Sequence, residues 1–297
     1  MKELRRRPSP ARVWFMAARP ATLAASVSPV LAGTAVAVHH GTVRTLPTLG
    51  ALLVGIAMQV GVNYANDYSD HVRGTDRERV GPLRAASSGI VPPEQVRLAA
   101  VACFALAAAV GVAISLASDW RLILFGAAAV AAGWLYTGGP RPYGYLGLGE
   151  LFVFLFFGLF ATVGTTYVNE LRAPAASWVA GVATGCLACA ILALNNLRDI
   201  ETDAVAGKRT LAVRLGAQWT RRFITALFAV ALLAPLAAGL VGWVPRLAAL
   251  PLLVVTMVPP VLRAAASREP GRLVEALQRT AVIEVWWALL WTLGLLL

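Results

Sequence analysis

Apolar residues run through the chain in nine long stretches separated by short polar connections. With soft boundaries these cover about 20–38, 47–67, 96–117, 120–137, 148–169, 176–196, 222–242, 246–264 and 278–297. Most approach the roughly 20 residues that an α-helix needs to cross a bilayer. Glycine and proline inside several of them are compatible with that reading, because membrane helices tolerate both. The pattern predicts an all-α, polytopic membrane protein with nine transmembrane helices in one domain spanning 1–297. A basic stretch, 1–19, precedes the first helix, and the longest polar segments, 70–95 and 198–221, are expected to cap one end.

Composition strengthens this picture. The 297 residues are 58% hydrophobic and 14% charged, with a mean hydropathy of +0.69, against roughly 25% charged residues in soluble domains. The net charge of +11 is of the sign a nucleic-acid binder would carry, but the apolar content argues against that class, and no nucleic-acid partner is expected. Lysine and arginine also collect on the cytoplasmic side of membrane proteins. With the N-terminus in the cytoplasm, 22 of the 26 Lys and Arg fall on that side, leaving Arg44, Arg121, Arg172 and Arg246 outside. Both long polar segments then face the cytoplasm. Met1 to Arg7 resembles the start of a signal peptide, but the apolar run that follows is read as a retained first helix in the lipid bilayer of a prokaryotic plasma membrane.

Chemistry is concentrated where two of the apolar runs end. Asn63-Tyr-Ala-Asn66-Asp67-Tyr-Ser-Asp70 closes the second run, and Asn195-Asn196-Leu-Arg198-Asp199-Ile-Glu-Thr-Asp203 closes the sixth. Asp67 and Asp70 are three apart, and Asp199 and Asp203 are four apart; either spacing puts both carboxylates on one helix face. A charged group inside a membrane helix costs about 2.5–3.5 kcal/mol on insertion scales, and four converging carboxylates would repel one another. Divalent cations between them relieve both problems, and carboxylates together with substrate phosphate oxygens are the usual way to hold Mg²⁺. Arg73, Arg198, Lys208 and Arg209 would suit the remaining phosphate charge. The expected site is a metal-bridged diphosphate at the mouth of an apolar cavity. A transporter with an intramembrane ion site is the competing class, but its acids usually lie near the bilayer midplane. Cys103, Cys186 and Cys189 lie in apolar runs, and neither a disulfide nor a zinc site is assigned to them.

These residues resemble a family. Asn66-Asp67-x-x-Asp70 with Asp199-x-x-x-Asp203 is similar to the paired aspartate-rich motifs of the UbiA superfamily of intramembrane prenyltransferases. Arg19-Pro20-Ala-Thr22-Leu23, Gly81-Pro82 with Arg84, Tyr136-Thr137-Gly-Gly-Pro140, Pro142 to Glu150 and Gly207 to Gly216 extend the likeness, and together they resemble the menaquinone branch, the 1,4-dihydroxy-2-naphthoate polyprenyltransferases. The first motif departs from the commoner spacing: its third acid, Asp76, lies six residues beyond Asp70, which leaves it only a possible ligand.

The resemblance implies helices around a central cavity, with two Mg²⁺ ions held by Asp67, Asp70, Asp199 and Asp203. It implies transfer of a polyprenyl chain from a polyprenyl diphosphate to 1,4-dihydroxy-2-naphthoate with loss of CO₂, giving demethylmenaquinone or its reduced form. Another acceptor, such as 4-hydroxybenzoate, is the alternative. Asn66 and Asn195 are expected as active-site polar groups. Asn63, Asn196, Arg198, Lys208, Arg73 and Arg141 are candidates for substrate contact, and Tyr136, Tyr143 and Tyr145 for lining the cavity near an allylic cation. Glu150 suits either a catalytic role or the positive end of a helix. His71 is expected in a solvated loop, and Trp286, Trp287 and Trp291 in helix packing or at the membrane surface.

Overall fold

Helix follows helix through the described residues. The structure, a computed structural model, describes residues 8–74 and 84–297, and no strand occurs among them. The helices are α1 (Pro10–Ala17), α2 (Ala24–His39), α3 (Thr45–Val72), α4 (Pro93–Leu116), α5 (Leu122–Leu135), α6 (Gly149–Glu170), α7 (Ala175–Arg198), α8 (Ile200–Val205), α9 (Leu211–Leu240), α10 (Arg246–Ala265) and α11 (Pro270–Leu296). Proline begins α1, α4 and α11, where its missing N–H costs no intrahelical bond.

Seven helices are long and apolar enough to span a bilayer: α3, α4, α6, α7, α9, α10 and α11. An eighth span forms if Pro10–Thr22 and Ala24–His39, bent by 49°, are taken together. The remaining expected span, 120–137, folds as α5, which has 14 residues. At about 1.5 Å per residue it falls short of a hydrocarbon core roughly 30 Å thick. By length and composition, the described residues carry seven candidate spans, or up to eight with the bent pair taken as one, and the segment 120–137 is a shorter apolar helix.

The helix ends also differ from the hydropathy reading in a way that bears on the chemistry. α3 continues to Val72, so Asn63 to Asp70 are all helical. α7 stops at Arg198, Asp199 caps it, and Asp203 lies in the separate short helix α8. The helical spacing persists across this junction because the Asp203 N–H donates to the Asp199 carbonyl at 2.8 Å.

α7 is the centre of the bundle, with 83% of its apolar window buried, against 22% for α4. It packs against α2, α6, α9 and α11. Small residues let the backbones approach, as is common in membrane helix pairs. Gly158 of α6 lies directly against Gly185 of α7, and a Cβ on Gly158 would also stand 2.9 Å from the Gly181 carbonyl oxygen. α11 is docked by two indoles: Trp287 Nε1 donates to the Ala231 carbonyl at 2.9 Å, and Trp291 Nε1 donates to that of Ala32 at 3.3 Å. Both are fully buried, whereas Trp286 is half exposed.

Within α6, Phe154–Phe160 adopts a π-helix, a rare conformation found mostly as single turns near functional sites. It sets Phe152, Phe156 and Phe160 in series with Tyr143, at successive ring separations of 4.1, 6.1 and 6.3 Å. This aromatic row runs beside the glycine contact with α7. Gly158→Ala is expected to force the α6 and α7 backbones apart and to destabilise the fold by about 1–3 kcal/mol, read as a lower melting temperature in detergent. An unchanged melting temperature would contradict the close approach.

Candidate active site

α3, α7 and the segments that follow them converge at one end of the bundle. Asp70 is 4% exposed. Its Oδ1 accepts from Lys208 Nζ at 2.7 Å and from the Tyr145 hydroxyl at 2.9 Å, and its Oδ2 pairs with Arg84 Nη1 at 2.8 Å. The same ammonium stands 4.0 Å from Asp203 Oδ1. Lys208 thus joins the two acidic motifs, although it lies 138 residues from Asp70 in sequence. The turn that places Lys208 is closed by its own N–H donating to the Asp203 carbonyl at 2.8 Å and by Gly207 with φ of +73°, a conformation that favours glycine.

The remaining motif acids play different parts. Asp199 is held by Arg198 through two bonds of 2.7 Å each, and Arg198 also donates to Asn195 Oδ1 at 2.9 Å. Asp67 accepts the N–H groups of Ala85 at 2.7 Å and Ala86 at 3.3 Å. It therefore anchors the chain that returns after the first motif. Tyr145 is tied from several sides. Arg73 lies 5.1 Å and Lys208 4.8 Å from its ring centre, and its carbonyl accepts from the Arg209 N–H at 2.9 Å. Burial first, and the Asp70 charge second, push its phenol pKa up, so it stays protonated and able to donate.

Beneath this cluster lies a cavity of ≈ 1300 Å³. Asp70, Asp199, Asp203, Lys208, Arg84 and Arg198 line its mouth, together with Asn63, Asn66, Asn195 and Asn196. Most of the remaining wall is aliphatic and aromatic, including Tyr136, Tyr143, Phe152, Phe156 and Phe160, with a few polar residues such as Arg19 and Gln59. A strongly charged mouth over an apolar chamber fits a ligand with a polyanionic head and a hydrocarbon tail. The donor chemistry also fits magnesium, since it consists of carboxylate oxygens beside amides. Among the described residues, no three acidic, His or Cys side chains form a group able to hold a metal ion.

The profile of the UbiA prenyltransferase family matches residues 26–272. The chain is 46% identical to the 1,4-dihydroxy-2-naphthoate octaprenyltransferase of Mycobacterium tuberculosis, over 93% of this chain and 94% of that one. The enzymes of the same name from Haemophilus influenzae and Bacillus subtilis are 36% and 32% identical, each over 96% of this chain and over 96% and 93% of their own lengths. This chain belongs to the UbiA prenyltransferase family. Solved structures agree on the fold. A UbiA homolog from Archaeoglobus fulgidus bound to GPP and Mg²⁺ superposes with a TM-score of 0.66 at 16% identity, over 96% of this chain and 99% of that one. The apo UbiA homolog from Aeropyrum pernix K1 gives 0.65 at 14%, over 96% and 98%.

As a UbiA family member, the chain shows which of its expected site residues meet. Asp70, Asp199, Asp203, all four asparagines, Arg198, Lys208, Tyr136, Tyr143 and Tyr145 share the cavity. Asp67 stands behind it. Arg73 donates to the carbonyls of Thr137 at 2.7 Å and Gly139 at 2.6 Å, clamping the turn after α5. Arg141 is exposed and lies off the cavity wall. Glu150 is buried against Asn196, and His71 faces Ser87. Asp76, Gly81 and Pro82 lie outside the described residues. Two contributors were not among the expected site residues. Arg84 was visible in the Gly-Pro-x-Arg stretch but had no stated role. Thr137, within the Tyr136-to-Pro140 stretch that extends the family likeness, donates to Asn66 Oδ1 at 2.7 Å.

Removing the shared ammonium deprives buried Asp70 of one of its cations and cuts the link to Asp203, which costs more than losing one neutral donor. Lys208→Met is expected to lower turnover by roughly 100-fold or more, and Tyr145→Phe by about tenfold or less, both measured as product per mole of purified protein. Equal effects would contradict the assigned hierarchy.

Proposed function

We propose that this chain transfers a polyprenyl group from an allylic diphosphate to 1,4-dihydroxy-2-naphthoate with loss of CO₂, giving demethylmenaquinol or its oxidised form. The carrying observation is the position of the charged cluster at the mouth of an apolar chamber of ≈ 1300 Å³. The acceptor follows from the likeness to naphthoate octaprenyltransferases along almost the whole chain. With 120–137 counted as a crossing, 22 basic residues fall on one side, which supports a plasma-membrane protein whose site faces the cytoplasm.

Asp70, Asp199 and Asp203, which line the cavity, would hold magnesium, two ions in this reading. Asp67, the fourth expected ligand, is off the wall and accepts backbone N–H groups. Mg²⁺ when bound would supply positive charge to the leaving diphosphate. The chain's own groups do the rest. Lys208, Arg84 and Arg198 bind diphosphate oxygens and favour the charge that builds as the C–O bond breaks heterolytically. The bond's electrons leave with the diphosphate, and the prenyl carbon is left as an allylic cation. The faces of Tyr136 and Tyr143 favour that cation, and the apolar wall keeps water from it. The electron-rich naphthoate ring donates a pair to the prenyl carbon, and departure of CO₂ returns its electrons to the ring.

Purified protein given Mg²⁺, an allylic diphosphate and a panel of aromatic acids is expected to yield a prenylated naphthoquinol lacking CO₂, identified by mass spectrometry. Chelating the metal should abolish the product, and Asp199→Ala should reduce turnover by roughly 100-fold or more. Preferential prenylation of 4-hydroxybenzoate would overturn the acceptor assignment, and normal turnover by Asp199→Ala would overturn the site.

A further inference from the structure

Four asparagine amides line the cavity, and each has one end already committed. An amide has a carbonyl that accepts and an NH₂ that donates, so fixing one end decides what the other offers. Asn63 is used at both ends: its Nδ2 donates to the Ala18 carbonyl at 2.9 Å and Thr22 Oγ1 at 3.1 Å, and its Oδ1 accepts from Gln59 at 3.4 Å. Asn66 and Asn195 accept on Oδ1 from Thr137 and Arg198, which leaves their NH₂ groups to donate. Asn196 is turned the other way. Its Nδ2 donates to Glu150 Oε1 at 2.9 Å, and its Oδ1 is the end left to accept.

That polarity sorts ligands. A diphosphate offers acceptor oxygens, which suit NH₂ groups and are repelled by a carbonyl. A ring hydroxyl offers a proton, which suits Asn196 Oδ1. The location agrees. Asn196 lies one helical turn beyond Leu192 on α7, and both line the cavity. Leu192 and the Tyr136 ring close on Gly149 from two sides, at 3.4 and 3.2 Å from where its Cβ would be. Tyr136 continues into Tyr143 and Phe152, with ring centres 5.5 and 4.1 Å apart. The carbonyl therefore sits beside an aromatic wall suited to a flat ring.

We propose that Asn196, its amide turned by Glu150, presents its carbonyl oxygen to one ring hydroxyl of the aromatic acceptor, and that this contact selects hydroxylated acceptors. The proposal rests on the prenyl-transfer reading above. Glu150 is buried and does not line the cavity, so it is a positioning residue acting through Asn196.

The test uses full-length protein, 1,4-dihydroxy-2-naphthoate as acceptor, and two analogues that each lack one hydroxyl, 1-hydroxy-2-naphthoate and 4-hydroxy-2-naphthoate, measured as competitive inhibitors. With wild-type protein, one analogue is expected to bind roughly tenfold more weakly than the other. Asn196→Leu should erase that preference and raise the acceptor KM by about the same factor, with the diphosphate KM little changed. Glu150→Leu should reproduce this result, and Glu150→Gln should give a smaller shift in the same direction. Equal binding of the two analogues by wild type overturns the proposal without any variant having to fold. A preference that survives Asn196→Leu, or a KM shift on the diphosphate alone, also overturns it. Should wild type prenylate a hydroxybenzoate and not the naphthoate, the proposed function fails, and the same comparison with that acid's deoxy analogue still decides the role of Asn196.

Discussion

Asp70 is a buried carboxylate in a bundle that is otherwise apolar, and such a charge is tolerated only when donors surround it. Three distant segments supply them. Tyr145 comes from the turn after α5, Lys208 from the turn before α9, and Arg84 from the chain returning after the first motif. Two of these segments meet the end of α3 elsewhere as well, the returning chain through Asp67 and the turn after α5 through Arg73 and Asn66, but Asp70 draws donors from all three. That carboxylate gathers the three segments at one point, at the mouth of the cavity. Lys208 carries the constraint further, because it also approaches Asp203 and so locks the second motif against the first.

The division of the cavity into a charged mouth and an apolar chamber follows from two kinds of helix contact. At the mouth, cations and amides converge on carboxylates at the ends of α3 and α7. Below it, glycines bring α6 and α7 into contact, and the π-helical stretch Phe154–Phe160 aligns a row of aromatic rings along the chamber. Diphosphate chemistry needs the first environment, and an allylic cation that must avoid water needs the second. Placing one directly above the other lets a single amphipathic substrate use both.

Much of this was legible in the sequence. Apolar runs located the helices, and the Asn/Asp clusters at the ends of two of them marked residues that converge on the cavity, because buried carboxylates and amides need a function or a partner. The division of labour among those residues was not legible. Asp67 and Asp70 share a helix face, yet Asp67 binds backbone N–H groups and Asp70 binds side-chain cations; only the path of the chain after Val72 separates them. Arg73 and Lys208 looked interchangeable as diphosphate ligands, but Arg73 reaches the carbonyls of Thr137 and Gly139. The fourth apolar run folds as a helix of 14 residues that ends at Leu135, ahead of the Gly138-Gly139 turn. Hydropathy does not register where a left-handed glycine ends a helix.

The central claim is that Asp70 and Lys208 form one buried pair joining the two motifs. A double-mutant cycle tests it most directly, with Asp70→Asn, Lys208→Met and the combined variant compared by thermal unfolding in detergent. The account predicts strong non-additivity, with the double variant more stable than the sum of the single losses by about 1.5–3 kcal/mol. Losses that add to within about 0.5 kcal/mol would mean that the two side chains act independently and that the motifs are not held together in this way.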